Sequence, residues 1–342
     1  MTTGKKILSV AVSLTLLSSV SLACSQSNST PAASSGNAQE AQKVNYPTKP
    51  IEMTIGFAAG GQADIGTRLV VNAANKHLPN AQTIVVSNKT GASGSIQLAE
   101  VFQAKPDGYK IGSVTTGNLI IQPNFGNTPY KSGDFEPISL LNSAPNMLVV
   151  QNDAPWKTFD EWLTYVKANP DKFTYGTAGS GDTKHVAMET LNVTFGVKTK
   201  QVGFDGSAQS ITALLGGHVM GTIISPQEAK PHTDAGKLRV LANLGSTKTE
   251  FYPEAPFLKE SGSGFPGFDT WTGILAPKNT PKEIITILDD AFKKAMQDQS
   301  VIDEFKKMGT VPTYAGPDDF KKVIEEASKT SAEIMKKAGL VK

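Results

Sequence analysis

The sequence predicts an α/β fold, and three observations carry that prediction. Short apolar runs of strand type recur between segments of helical period from Tyr46 onward. Glycine-rich turns follow several of those runs and lead into the helical segments. A length of 342 residues, 39% of them apolar, is enough for about two compact domains at roughly 150 residues each.

The elements follow in order. Ile51, Met53, Ile55 and Phe57 alternate as a first strand, and Thr83 to Ser87 reads as a buried second one. Gly108 to Val114, Met147 to Val150, Val219 to Ile224, Arg239 to Leu244 and Thr272 to Ala276 read as further strands. After the first strand, Ile65, Leu69 and Ala73 recur at helical spacing. Thr158-Phe159-Asp160-Glu161 has the form of a capping box before Trp162 and Val166. Thr280-Pro281-Lys282-Glu283 repeats the box with a proline at the first helical position, ahead of Ile284, Leu288, Ala291, Phe292 and Ala295 on one face. There is no internal repeat at a fixed period.

The residues before Tyr46 read as an export signal and a tether. Lys5 and Lys6 precede an apolar stretch from Ile7 to Leu22 that serines interrupt and that ends at Ala23-Cys24. The stretch is short for a membrane span of about 20 residues, so a removable signal is expected. Cys24 is the chain's one cysteine and stands where a bacterial lipoprotein signal places its lipidated cysteine, with Leu22 two residues ahead instead of the usual three. We expect a lipoprotein signal peptide over 1–24 and a disordered Ser/Ala/Gln/Asn-rich tether over 25–45. The protein is then extracytoplasmic and anchored by lipidated Cys24, in the periplasm or on the outer face of the cell membrane. Ordinary secretory cleavage beside an incidental cysteine is the alternative.

Charge narrows the partners. The 33 basic and 31 acidic residues give +2, and cleavage before Cys24 removes two lysines and no acid, leaving a formally neutral chain. No excess of cations remains to neutralise a phosphate backbone, which argues against nucleic acid. Only Arg68 and Arg239 are arginines, the residue that usually clamps carboxylates bidentately.

The informative feature is a set of turns between strands and helices. Phe57-Ala58-Ala59-Gly60-Gly61-Gln62-Ala63-Asp64 leads from the first strand into the first helix. Such a helix start has unpaired amides that attract anions, and Asp64 is placed to cap it. Gly176 to Thr183 forms a second turn after Phe173-Thr174-Tyr175. It falls short of a phosphate-binding P-loop because Asp182-Thr183-Lys184 stands where Gly-Lys-Ser/Thr should follow. Thr115 to Asn118 and Ser87 to Ser95 are two more. Any one of them is an ordinary tight turn, but several at the carboxyl ends of strands mark the crevice where open α/β sheets bind ligands.

Catalytic signals are weak. Gly91-Ala92-Ser93-Gly94-Ser95 fails the nucleophile-elbow motif at its last position. The four histidines show no metal-ligand spacing, so no metal, no cofactor and no enzymatic activity are expected. A secreted hydrolase using Ser93 or Ser180 with His185 stays as an alternative.

Several segments together resemble the extracytoplasmic solute receptors of the tripartite tricarboxylate transporter family, the Bug receptors. They are Tyr46 to Ile51, Phe57 to Asp64, Asn88 to Gly94, Pro106 to Tyr109, Asp134 to Leu140, Tyr175 to His185, Gly206-Ser207 with Leu214 to Gly217, Ala235 to Arg239 and Trp271 to Pro277. The resemblance implies a type II periplasmic-binding-protein fold with two α/β domains around a central ligand cleft. Domain one would combine 46–143 with 271–342, and domain two would be 144–270. It also implies a monomeric receptor that closes on a small carboxylate and delivers it to integral membrane transporter subunits. Signalling to a sensor kinase is the variant use.

Carried onto this chain, the ligand contacts fall on Phe57, Ala58, Ala59, Gly60, Gly61 and Gln62, and on Ala178, Gly179, Ser180, Gly181 and Asp182. Thr116, Phe204, Ser225 and Gln227 are assigned to the far end of the ligand, with Phe204 alternatively in the core. Two departures stand out. Gln62-Ala63-Asp64 lacks the hydroxyl of the family's Gly-Thr/Ser-Asp, and Phe204-Asp205 replaces a tyrosine and a lysine. Asp182 and Asp205 in the cleft would either repel a second carboxylate or accept bonds from an amine.

Overall fold

The computed structural model describes residues 44–126, 128–308 and 312–341. The expected signal peptide with Cys24, and the tether as far as residue 43, lie outside the described residues.

In chain order the strands are β1 (Ile51–Ile55), β2 (Ile84–Asn88), β3 (Lys110–Thr115), β4 (Phe135–Pro145), β5 (Met147–Gln151), β6 (Thr174–Thr177), β7 (Lys200–Gly203), β8 (Gly221–Ile224), β9 (Leu238–Asn243), β10 (Asp269–Pro277) and β11 (Pro312–Ala315). The helices are α1 (Gln62–Ala74), α2 (Ser95–Gln103), α3 (Gln122–Asn124), α4 (Phe159–Ala168), α5 (Thr183–Phe195), α6 (Ser207–Leu215), α7 (Pro226–Asp234), α8 (Lys282–Gln297), α9 (Gln299–Lys307) and α10 (Pro317–Lys337).

The strands form two sheets. Sheet one has the order β11-β4-β10-β3-β1-β2, and sheet two the order β7-β6-β8-β5-β9. In sheet one β1 is parallel to β2 and β3, while β10 is antiparallel to β3 and to β4. In sheet two β6 is parallel to β7 and β8, and β5 is antiparallel to β8 and β9. Parallel neighbours need crossover connections, and the glycine-rich turns are where those crossovers begin.

Each sheet is covered on both faces. Val71, Leu288, Phe292 and Phe305 from α1, α8 and α9 pack on Met53, Ile111 and Ile274, while Leu98 of α2 and Phe320 of α10 join Val114 and Leu275. Ile274 and Leu275 are consecutive and serve opposite cores, the period-2 alternation of a strand buried on both sides. In sheet two, Trp162 of α4 and Val186 and Leu191 of α5 pack with Leu148, Tyr175 and Ile223, and Ile211, Leu214 and Ala229 of α6 and α7 pack with Val149 and Ile224.

The chain passes between the sheets at two adjacent points. It leaves sheet one after Pro145 and returns at Asp269, which pair with each other in register. Asn146, fully buried, ties the passages together: its Nδ2 donates to the Phe268 carbonyl at 2.7 Å and its Oδ1 accepts from Thr270 Oγ1 at 3.0 Å.

Three readings of local sequence differ from the structure. β4 is an eleven-residue strand where only a family-like motif was legible, because Pro137, Asn142 and Pro145 interrupt any simple alternation. The α8 start also shifts by one residue. Pro281, with ψ at 139°, is the capping position, while buried Thr280 donates its hydroxyl to the Pro277 carbonyl at 2.7 Å. The Thr158 box stands half formed: Thr158 Oγ1 accepts from the Glu161 amide at 3.2 Å, but Glu161 reaches back to the amide of Lys157 instead of Thr158.

Candidate functional site

Three helices begin around one small buried cavity. The loop after β1 leads into α1, the loop after β6 into α5, and the loop after β7 into α6, so their first turns sit at the carboxyl ends of parallel strands. Phe57, Gly61, Gln62, Ala178 and Asp182 from the expected set line the cavity, joined by Ala63, Thr115, Thr183, Lys184, Ser207 and Thr270. Its volume is about 30 Å³, room for about one water molecule. A roomier cavity of about 720 Å³ lies beside β9, among Phe159, Tyr252 and Arg239. It holds none of the expected site residues, and no helix starting from a parallel strand opens onto it.

The central feature is a carboxylate that sequence reading did not single out. Glu228, with 1% of its side chain exposed, lies in the first turn of α7. Its Oε1 accepts from the Gln62 amide at the start of α1, 2.8 Å away. Its Oε2 accepts from Lys184 Nζ at 2.9 Å, the Ser225 amide at 2.9 Å and Ser225 Oγ at 3.0 Å. Burial alone would raise the Glu228 pKa, but Lys184 and the amide donors outweigh it and hold the group below the usual glutamate value. Lys184, 5% exposed, also donates to Ser207 Oγ. A buried ion pair between α5 and α7 therefore seals the cavity wall and caps α1. Ser225-Pro226-Gln227-Glu228 is a capping-box sequence and was the available signal; for Lys184 no local pattern points to Glu228.

Asp182 caps its own helix. Its Oδ1 accepts from the His185 amide at 2.7 Å and its Oδ2 from the Ala178 amide at 3.2 Å. Burial pushes its pKa up to about 6, against the opposing pull of Lys184 and the two amides. Asp64 works from inside α1, accepting from the Gly60 amide at 3.0 Å, Arg68 Nε at 2.8 Å and Asn88 Nδ2 at 2.8 Å. Both arginines are spent away from the cavity, Arg68 on Asp64 and Asn88, and Arg239 on Asn152. The start of α6, by contrast, has no side-chain cap.

The other expected residues are distributed around this centre. Ala58 donates its amide to the Asp205 carbonyl at 3.1 Å, and Ala59 and Gly60 are exposed. Gly179, Ser180 and Phe204 line an open groove of about 510 Å³ with Ala92, Ser93 and Asp205, and Phe204 also packs against the sheet-two core. The Gly181 amide donates to His185 Nδ1 at 3.0 Å. Thr116 Oγ1 accepts from the Trp271 amide at 3.2 Å. Ser225 is fully buried in its capping box, and Gln227 Nε2 donates to the Gln62 carbonyl at 3.4 Å. Thus Ala58, Ala59, Gly60, Gly179, Ser180, Gly181, Thr116, Phe204, Ser225 and Gln227 surround or support the cavity without lining it.

Neither serine of the hydrolase alternative is hydrogen-bonded to His185. Ser93 Oγ donates to the Ser180 carbonyl at 2.7 Å, Ser180 Oγ bonds Gln201 at 3.0 Å, and burial lowers the His185 pKa. Gln122 Nε2 donates to the same Ser180 carbonyl at 2.8 Å. These bonds join residues that precede β4 to residues between β5 and β9, so the site is stitched across the two sheets.

Comparison with known proteins places these features in a group. Residues 67–340 match the model of the tripartite tricarboxylate transporter family receptor. A UPF0065 protein of Cupriavidus necator, from the gbd 5' region, is 36% identical over 310 residues, covering 89% of this chain and 91% of the relative. The solved structure of the periplasmic binding protein BugD superposes with a TM-score of 0.78 at 30% identity, over 86% of this chain and 99% of that one. A Rhodopseudomonas palustris structure with adipate superposes with a TM-score of 0.79 at 26% identity, over the same shares.

Proposed function

The chain belongs to the tripartite tricarboxylate transporter family of receptors, and from that premise we propose that it captures a small carboxylate in the cleft between sheets one and two. In this reading 46–143 with 271–342 form one closing domain and 144–270 the other. The observation that carries it is the amide of Gln62, which already holds a carboxylate, that of Glu228, at 2.8 Å. A helix start that binds a carboxylate from the chain is chemically suited to one from a ligand. The adipate in the related structure agrees with this ligand class.

The remaining parts of the reading rest on the sequence. Cys24 carries a lipid after removal of 1–23 and anchors the receptor outside the cytoplasm, 25–45 is the tether, and the loaded monomer docks on membrane transporter subunits. It performs no chemistry on its ligand. Ala59, Gly60, Gly179 and Ser180 are the loop residues that meet the ligand as the cleft opens and recloses.

Thermal unfolding against a library of carboxylates tests the central claim. A true ligand at 100 times its Kd should stabilise the protein by about 2.7 kcal/mol. A shift with another solute class and none with any carboxylate would overturn it.

A further inference from the structure

We propose that the roomier cavity beside β9 is a second ligand site, outside the cleft, for a small molecule that joins one anionic head group to an apolar body. Charge leads to this first. Arg239, on the wall of this cavity, donates from Nη2 to Asn152 Oδ1 at 2.8 Å, a neutral acceptor that cancels none of its charge. Its Nη1 is shielded from water and has no hydrogen-bond partner, and among the described residues no carboxylate is ion-paired with it. Lys157, the other cation on this wall, spends its Nζ on the Asn152 and Ala154 carbonyls at 3.3 and 2.9 Å. The acids that share the wall, Asp160 and Glu254, are exposed, so water and salt screen them. A half-buried guanidinium without a counter-ion favours an anion, which it can hold through two parallel N–H bonds.

The form of the cavity points the same way, independently of charge. Its volume of about 720 Å³ falls within the roughly 300 to 1,000 Å³ of small-molecule sites. β9 is an outer strand of sheet two, and four consecutive residues of it, Leu238 to Leu241, line the cavity. Side chains of a strand alternate between faces, so a space touched by four in a row runs along the strand edge. Phe159 and Leu163 of α4, Phe195 of α5 and Leu258 give the wall its apolar surface. Tyr252 adds a ring whose hydroxyl is already bonded to Thr233 Oγ1 at 3.0 Å. An extended peptide would need a free run of edge to pair with. Here the edge is taken at Asn243, whose amide donates to the Pro256 carbonyl at 2.9 Å and which bridges Phe257. A compact ligand fits what is left, with apolar surface for its body and one cation for its head.

The pair 2-naphthoate and 2-naphthamide tests this, since the two share a ring system and differ in charge. Calorimetric titration of the wild-type protein should show the naphthoate binding about tenfold tighter or more. Arg239→Gln should bring the two compounds to within about threefold, and Arg239→Lys should keep part of the preference. Leu163→Trp, which fills the cavity and leaves Arg239 in place, should weaken both compounds by about tenfold or more. Melting curves accompany each variant, and Arg239→Lys serves as the charge control where the glutamine disturbs the fold. No binding of the naphthoate, equal binding of the amide, or affinities unchanged in both Arg239→Gln and Leu163→Trp would overturn the assignment. The last result would put the compound elsewhere on the protein. The carboxylate reading of the cleft stands or falls separately, on its own ligand library.

Discussion

At the scale of single residues, Asp182 shows how capping and burial oppose each other. Its carboxylate holds two amides, yet its surroundings raise its pKa from the usual 3.8 to about 6. A raised folded-state value means the unfolded chain gives up the proton first. The associated stability is therefore fully present below about 3.8 and is lost as pH rises through about 6. The difference in unfolding free energy between wild type and Asp182→Asn should fall by about 3 kcal/mol between those limits. Urea unfolding at a series of pH values measures it, and parallel curves for the two proteins would sink the claim. Gly179 is the other residue with a geometric role. It sits at φ +123°, and a Cβ there would lie 2.3 Å from Ser93 Oγ. The loop can approach Ser93 this closely only with glycine at 179.

At the scale of elements, helix starts decide both what was legible and what was not. Thr158 caps α4 through the Glu161 amide, so Thr158→Ala should cost about 1 kcal/mol. Chemical denaturation reads it directly, and a loss below about 0.3 kcal/mol would mean the box contributes little. That start was readable because all its parts lie within four residues. β1, β3 and β5 were readable because apolar runs mark them, and the β1 to α1 and β6 to α5 loops because glycine marks backbone turns. β7 was hidden: Lys200 to Gly203 is a sheet edge with no buried residue. The Lys184 and Glu228 pair was hidden for a different reason. The two residues are 44 positions apart, and only the meeting of α5 with α7 makes either of them a site residue. The near-miss P-loop around Lys184 drew attention to phosphate, while the lysine's partner is a carboxylate within the chain.

At the scale of the whole molecule, the two passages between sheets are the joint of the proposed two-domain closure. Asn146 donates to one passage and accepts from the other, and Gly267 at φ +79° lets the backbone come against Gly245, where a Cβ would lie 2.3 Å from the carbonyl oxygen. Asn146→Ala removes a buried donor and acceptor and strands their partners. We expect a loss of about 2 to 4 kcal/mol and a broader range of interdomain angles in solution. Denaturation and small-angle scattering check the two effects, and an unchanged scattering profile with unchanged stability would show that the joint is set elsewhere.

The last helix adds a consequence to that joint. α10 seats Phe320 and Ile324 in the core of sheet one, and Met335, fully buried, in the core of sheet two. It is a rod with each end set in the core of a different sheet. In the proposed closure, a rotation between the sheets would act on a helix 21 residues long whose Met335 is buried on the sheet-two side. A load attached beside Val341 would therefore bear on the end of that rod that is seated in sheet two.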